Sequence, residues 1–187
     1  IEEIKLKDDK LIAKTKTGFS IEVADVVHCT GYESTETLKE DIVDLKSTFA
    51  LASEAFEKIP KAFEKRIYWN TDSPYLYFRS TDDGRIVMGG GDREFKNAAR
   101  RDALLPKKEK ELVKSFNKCF PDIPFVMDYS WAGTFGETKD GLPYFGKPEP
   151  KKNEHYILGF GGNGITFSVM GMDAIVHSIN KTPHPYL

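Results

Sequence analysis

The stretch "HYILGFGGNGITFSVMGMDAIVHSI", His155 to Ile179, decides how the chain is read. Gly159-Phe160-Gly161-Gly162-Asn163-Gly164 fits the G-x-G-x-x-G pattern of a dinucleotide-binding turn, with strand text before it (His155 to Leu158) and helix text after it (Ile165 to Ile179). That pattern has physical meaning inside a βαβ unit, where the pyrophosphate sits on the helix N-terminus and an acid about 20 residues on holds a ribose. Here only "KTPHPYL" follows Asn180, so there is neither a second strand nor a ribose acid, and a Rossmann site is the weaker reading. A glycine-rich turn feeding a helix still gathers unpaired N–H groups and the positive end of the helix dipole at one spot. The plain alternative is a strand-to-helix turn, which one glycine would serve.

Outward from that stretch, composition sets broad bounds. The chain has 187 residues, 40% hydrophobic and 30% charged, which describes a globular protein long enough for one ordinary domain with a sizeable core, or for one domain plus part of another. Lys plus Arg number 27 against 29 Asp plus Glu, a net charge of −2 that gives no reason to expect nucleic acid as partner. No apolar run reaches the roughly 18 to 20 residues of a membrane span, and no signal-peptide pattern opens the chain. Cys29 and Cys119 form no metal-like spacing, so a reducing cytoplasm is the expected location. The chain opens on Ile1, not Met, and the expectation is a piece of a longer protein.

Residues 1–31 alternate as an antiparallel sheet with one wet face, except Val26-Val27-His28-Cys29, which reads as a strand buried on both faces. "STFALASEAF" reads as a strand, and "SPYLYFRS", Asp82-Asp83-Gly84 and "RIVMGG" as a hairpin. Leu112, Val113, Phe116 and Cys119 share one face of a helix over 107–119. Gly89-Gly90-Gly91 reads as a bulge or turn and Arg93 to Arg101 as exposed charged text. "FVMDYSWAGTFGE" reads as a strand, followed by a Gly/Pro-rich stretch to Pro150. The class is α+β: a mixed or antiparallel sheet with helices, plus remnant strands of a second, Rossmann-like domain. The expected divisions are 1–34, 35–150 and 151–187.

Three stretches together resemble the second half of the glycine oxidase/D-amino-acid oxidase (DAO) family of FAD-dependent oxidoreductases. They are Val26-Val27-His28-Cys29-Thr30-Gly31, then Trp131-Ala132-Gly133 followed by Thr138-Lys139-Asp140-Gly141-Leu142-Pro143-Tyr144-Phe145-Gly146, and Gly159 to Ile165. The hairpin and Phe120-Pro121 fall between them in family order, and the resemblance covers roughly residues 20–180. It implies that the late glycines cradle a flavin, while the true dinucleotide fingerprint belongs to an N-terminal half missing here. FAD is accordingly the expected cofactor of the full-length protein and is expected to be absent from this chain alone. The resemblance implies hydride transfer from the carbon beside an amine nitrogen to the flavin, with a small amine or amino acid as substrate.

The cofactor candidates are Thr30, Gly31, Gly133, Thr134, Gly161, Gly162, Asn163, Gly164, Ile165 and Thr166. For Thr134 and Thr166 simple capping is an equal alternative. The substrate candidates are Tyr77, Arg79 and Phe135. Relatives often hold a substrate carboxylate with arginine two residues after the W-A-G glycine, where this chain has Phe135, and glycine oxidases can carry another arginine where it has Gly162. A bidentate carboxylate clamp is missing from its usual places, which favours an amine, an N-alkylated compound or a substrate bound differently. Arg79 reads either as a solvated edge charge or as a substrate contact. Of the remaining candidates, His28 reads as a core histidine, His155, His177 and His184 as scattered, and Cys119 as core packing. No catalytic residue is assigned. The competing function is a non-catalytic binding or interaction module that cannot hold FAD alone.

Overall fold

The computed structural model describes residues 1–8, 10–36, 38, 42–149 and 152–187. It divides into two compact units, one formed by residues 1–44 with 136–187 and the other by residues 45–135.

In chain order, β1 (Glu3–Lys7), β2 (Lys10–Lys14) and β3 (Ser20–Val23) form an antiparallel three-stranded sheet. Leu11 and Ala13 alternate into its buried face while Lys10 and Lys14 stay exposed, the one-sided wetting that the sequence alternation predicts. The strand β4 (Val26–His28) breaks that pattern. The expectation of burial on both faces is not met: Val27 is 41% exposed and β4 ends its sheet, with one neighbour among the described residues.

The second unit holds β5 (Asp44–Ser53), β6 (Ile67–Trp69), β7 (Leu76–Ser80), β8 (Ile86–Glu94), α1 (Ala98–Ala103), α2 (Leu105–Cys119) and β9 (Met127–Glu137). Its five strands run in the order β6-β7-β8-β5-β9. The β7–β8 hairpin turns at Gly84, whose φ of +80° suits glycine, and the turn closes through the Gly84 amide donating to Thr81 O at 3.1 Å. Pairing Phe78 with Met88 and Met88 with Leu51 puts these side chains on one face, where Leu112 and Phe116 of α2 cover them. Each such side chain contributes about 1.5 to 3 kcal/mol through burial, so this cluster is what holds the unit.

Two sequence expectations fail here for local reasons. The charged text after β8 is partly helix, because the Asn97 side chain caps α1 by accepting from the Arg100 amide at 2.8 Å. Cys119 is exposed, not packed; the helix ends there and Phe120 turns into the core in its place. The glycines 89–91 carry the expected bulge: β8 runs through them, but Phe49 pairs with Gly90 while Ser47 pairs with Arg93, which leaves one extra residue on β8. Gly90 has φ +121°, and a Cβ there would come 2.1 Å from Tyr75 O, so no side chain fits.

Returning to the first unit, β10 (Tyr144–Gly146), β11 (Glu154–Leu158) and α3 (Gly164–Ile179) complete the chain. The sheet order is β10-β11-β4, antiparallel at the first pair and parallel at the second. Three residues were too few for β10 to stand out of the Gly/Pro-rich text around it. Helix α3 packs on this sheet so closely that a Cβ at Gly171 would come 2.7 Å from Ile157. Two histidine–carboxylate pairs brace the parallel strands: His28 Nε2 lies 3.0 Å from Glu154 Oε2 with its ring stacked on Tyr156, and the fully buried His155 has Nε2 2.8 Å from Asp25 Oδ1. His177 and His184, apart in sequence, meet at Asp173. Among the described residues no helix is long and apolar enough to cross a membrane.

Candidate functional site

The two groups of candidate residues in the first unit converge. Because β4 and β11 are parallel neighbours, the segments that follow them leave the same end of the sheet. Thr30-Gly31 follows β4, and Gly159 to Gly164 follows β11. A crevice beyond the carboxyl ends of parallel strands is where open α/β sheets bind ligands. Gly31 has φ +60° and Gly161 φ +50°, and nothing lies within 4 Å of a Cβ placed on either. The Thr30 hydroxyl is hydrogen-bonded to the buried Ser34 hydroxyl at 2.7 Å.

The turn leads into α3 without a cap. Asn163 occupies the N-cap position, yet its side chain makes no capping hydrogen bond. The Asn163 carbonyl accepts from Phe167 N at 3.0 Å, which starts the helix and leaves the first-turn amides of Gly164, Ile165 and Thr166 without intrahelical acceptors. Gly162, Asn163, Ile165 and Thr166 are all exposed. The arrangement is a positive helix end with donors free for an electron-rich group.

What fixes this turn is a segment to which the sequence reading assigned no site role, Gly136 to Leu142. Gly161 N donates to Gly136 O at 3.0 Å. Thr138 is buried, and its hydroxyl donates to Leu142 O at 2.8 Å and to Asp140 Oδ1 at 3.1 Å. Asp140 Oδ1 also accepts from Leu142 N at 3.0 Å, so the T-x-D-G-x spacing is a side-chain-stapled turn. These bonds, the Leu142 amide first, hold the Asp140 carboxyl below its usual range. The Thr138 methyl meets the place of a Gly159 Cβ at 2.3 Å, and Gly159 has φ +75°, so that residue must be glycine. The Thr138–Asp140 spacing was the available signal.

In the second unit, Tyr77, Arg79, Gly133 and Phe135 lie on the sheet face away from α2. Tyr77 pairs with Gly89 and Arg79 with Val87, while Phe78 between them joins the core. On β9, Ala132 packs on the core and Gly133 lies against Thr48, so alternation carries Gly133 and Phe135 to the other face. Thr134 parts from them: its hydroxyl accepts from Arg101 Nη1 at 3.0 Å on the helix side. The Tyr77 ring lies over Gly89, where a Cβ would be 2.2 Å from its hydroxyl oxygen. Burial pushes the Tyr77 phenol up; Asp92 adds to the rise and Arg79 opposes it. Arg79 itself is exposed and donates to Ser80 O at 3.1 Å. Tyr77 and Phe135 stand three strands apart, about 14 Å at normal strand spacing. Among the described residues no group of His, Cys, Asp and Glu is arranged to hold a metal ion.

Against known families, residues 1–175 match DAO: FAD dependent oxidoreductase. The chain belongs to the DAO family. Among solved structures, the L-proline dehydrogenase from P. horikoshii superposes with a TM-score of 0.77 at 17% identity, covering 100% of this chain and 50% of that one. The glycine oxidase from Bacillus cereus ATCC 14579 gives 0.78 at 17%, covering 98% and 49%. The glycine oxidase from Geobacillus kaustophilus gives 0.75 at 16%, covering 99% and 49%. The DAO chain described here thus spans about half the length of these solved relatives, and at such identities the likeness is one of fold. Comparison with curated protein sequences gave no match.

The family is FAD-dependent, and the uncapped start of α3 fits one part of that group. Free amides at a positive helix end suit the N1–C2=O edge of a flavin, which carries negative charge when reduced.

Proposed function

We propose that this DAO-family chain supplies the flavin-ring cradle and the substrate-facing sheet of an oxidoreductase acting on the C–N bond of an amine or amino acid. The observation that carries the reading is the uncapped N-terminus of α3, opening from a glycine turn at the carboxyl end of two parallel strands. Bound FAD would accept a hydride, with its two electrons, from the carbon beside nitrogen, while the nitrogen gives up a proton and water hydrolyses the resulting C=N bond. Gly161, Gly162, Asn163, Gly164, Ile165 and Thr166 would hold the pyrimidine edge, with Thr30 and Gly31 at the neighbouring strand end. Gly133 and the Thr134 backbone remain cofactor candidates; the Thr134 hydroxyl is already engaged.

On the substrate side, Tyr77, Arg79 and Phe135 share the face away from α2. Phe135 stands where relatives often place a carboxylate-binding arginine, and a buried carboxylate without a cationic partner costs several kcal/mol. An amine or N-alkylated substrate therefore fits better than a free α-amino acid. One neighbour supports the amine class by its own name, a fructosyl amine:oxygen oxidoreductase, and another, an iminodiacetate oxidase, is named for an N-alkylated compound that keeps its carboxylates. The test is to recover the protein from its native cells by a C-terminal tag, record its absorbance, and add an amine or its α-carboxylated counterpart without oxygen. A flavin spectrum bleached more by the amine is expected. A colourless, inert preparation would overturn the reading in favour of a non-catalytic interaction module, an alternative that the half-length match to the relatives supports.

A further inference from the structure

Helix α2 divides its lysines between core and surface. Lys108 is buried, with Nζ 2.9 Å from Glu111 Oε2 and 5.6 Å from the centre of the Phe49 ring. Lys107, Lys110, Lys114 and Lys118 are exposed. On an α-helix their 3, 4, 4 spacing gathers them within an arc of roughly 80°. Glu111 is the one acid on that arc, and it is already shared between Lys107, at 3.8 Å, and Lys108. Among the described residues no carboxylate lies within ion-pair reach of Lys110, Lys114 or Lys118. These three follow one another at i, i+4, a like-charge spacing that costs the helix stability and that a merely solvated face would relieve with Glu. Beside the arc runs a shallow groove lined by Lys110, Val113 and Lys114 of α2 and by Met127, the first residue of β9. Met127 is 39% exposed and Val126 before it 54%. Glu109 also lines the groove, but its carboxylate accepts from the Ser130 hydroxyl at 2.6 Å.

We infer that this groove docks an acidic, amphipathic segment of a separate partner protein, its apolar side chains lying on Val113, Val126 and Met127 and its carboxylates pairing with Lys110 and Lys114. Charge complementarity selects the acid: the lysines on the groove have no counter-charge of their own, and each new pair also relieves their mutual repulsion. The apolar lining selects an amphipathic peptide over other anions. A nucleic-acid backbone would use the lysines and leave Val126 and Met127 bare. A bilayer fits less well because α2 carries no apolar residue on the lysine arc itself, so a flat anionic surface laid on the lysines does not take up the apolar side chains beside them. The inference does not depend on the oxidoreductase reading, since no cofactor or substrate candidate lies on α2.

The test uses protein recovered from native cells by a C-terminal tag and washed at high salt, and follows the fluorescence anisotropy of a labelled helical peptide of leucine and glutamate. Wild type should bind the peptide, and the affinity should fall as salt is raised. Lys110→Glu together with Lys114→Glu should weaken binding at least about tenfold. Met127→Gln should weaken it about threefold or more, and polyglutamate, which has the charge without the apolar anchors, should bind less tightly than the peptide. Lys7→Glu together with Lys16→Glu makes the same charge change on exposed lysines of the other unit and should leave binding at the wild-type level. Lys110 and Lys114 are exposed, so their double variant should keep the wild-type melting temperature; the salt series on wild type carries the test if it does not. Absence of binding by wild type, equal binding of the peptide with lysine in place of glutamate, or an equal loss in the control pair would overturn the inference. So would tighter binding to phosphatidylserine vesicles or to duplex DNA that the Lys110 and Lys114 substitutions abolish, which would assign these lysines to a lipid or nucleic-acid surface.

Discussion

Helices α2 and α3 are nearly equal in length and treat their apolar residues differently. Helix α2 turns Leu112 and Phe116 into a cluster with Phe49, Leu51, Phe78 and Met88 and leaves its Lys-rich face to water. Helix α3 buries Gly171, Ala174 and Ile175 and leaves a second apolar face uncovered. The unit of residues 45–135 therefore closes its own core. The unit of residues 1–44 and 136–187 places its chemistry at strand ends and its hydrophobic surface outward. Apolar content alone does not distinguish these cases; the angular distribution around the helix does.

The sharpest way to break that contrast is to remove one side chain from each helix. Phe116→Ala, in a fully buried aromatic cluster, should cost about 3 to 5 kcal/mol in chemical denaturation of the chain. Val169→Ala should change it by less than about 0.5 kcal/mol, as an exposed position does. Equal losses at the two sites would show that this second face of α3 is covered within this chain.

A second test concerns the turn held by Thr138. Gly159→Ala places a methyl on the Thr138 methyl at a residue with φ +75° and should cost roughly 1 to 3 kcal/mol. Thr138→Ser removes that methyl while keeping the hydroxyl, so the double variant should recover part of the loss, and a double-mutant cycle measures how much. Full additivity would mean that backbone strain, not the close approach, decides the residue.

Much of this was legible in sequence and some was not. The β7–β8 hairpin, α2 and the strand–turn–helix of residues 154–179 each carry strong local signals: a D-D-G turn, helical spacing over four turns, glycines between two apolar runs. Helix α1 was hidden because its one signal, Asn97, lies in charged text, and β10 because it has three residues. The exposure of Cys119 and Val27 depends on where a helix ends and on which strands are present, which local pattern does not encode. The α3 amides were readable from the glycine turn that feeds a helix and the Tyr77–Arg79 face from strand alternation, whereas the Thr134–Arg101 bond joins residues 33 apart and had no local trace.

Smaller effects should appear at the turn proposed to hold the cofactor and at the sheet face opposite α2. Gly162→Val in the flavin-loaded assembly should weaken FAD binding or slow its reduction while leaving the melting temperature of the isolated chain nearly unchanged, because the residue is exposed. An unaltered spectrum and reduction rate would remove the turn from the cofactor site. Phe135→Arg should move the bleaching preference from amines toward their α-carboxylated counterparts. A wild type that already prefers the carboxylated partner would refute the substrate reading and direct attention to Arg79.

The smallest expected effect is electrostatic and tests the stapled turn alone. The Asp140 carboxyl is held below its usual range first by the Leu142 amide and then by the Thr138 hydroxyl. A group whose pKa is lower in the folded state binds fewer protons there than when unfolded, so its contribution is complete above the ordinary carboxylate range. It is lost as pH falls from the ordinary carboxylate range through the lowered value. Asp140→Asn keeps an oxygen that can accept from Leu142 N and Thr138 Oγ1 and removes the titration. Thermal melts across that range should show a shallower acid limb for the variant than for wild type, with the two curves parallel at neutral pH. Asp83, also lowered but set in the β7–β8 turn with Thr81 and Arg85, provides the comparison in the other unit. If Asp140→Asn leaves the acid limb unchanged while Asp83→Asn flattens it, the acid sensitivity belongs to the hairpin, and the turn beneath Gly159 is held by the Thr138–Leu142 bond and packing.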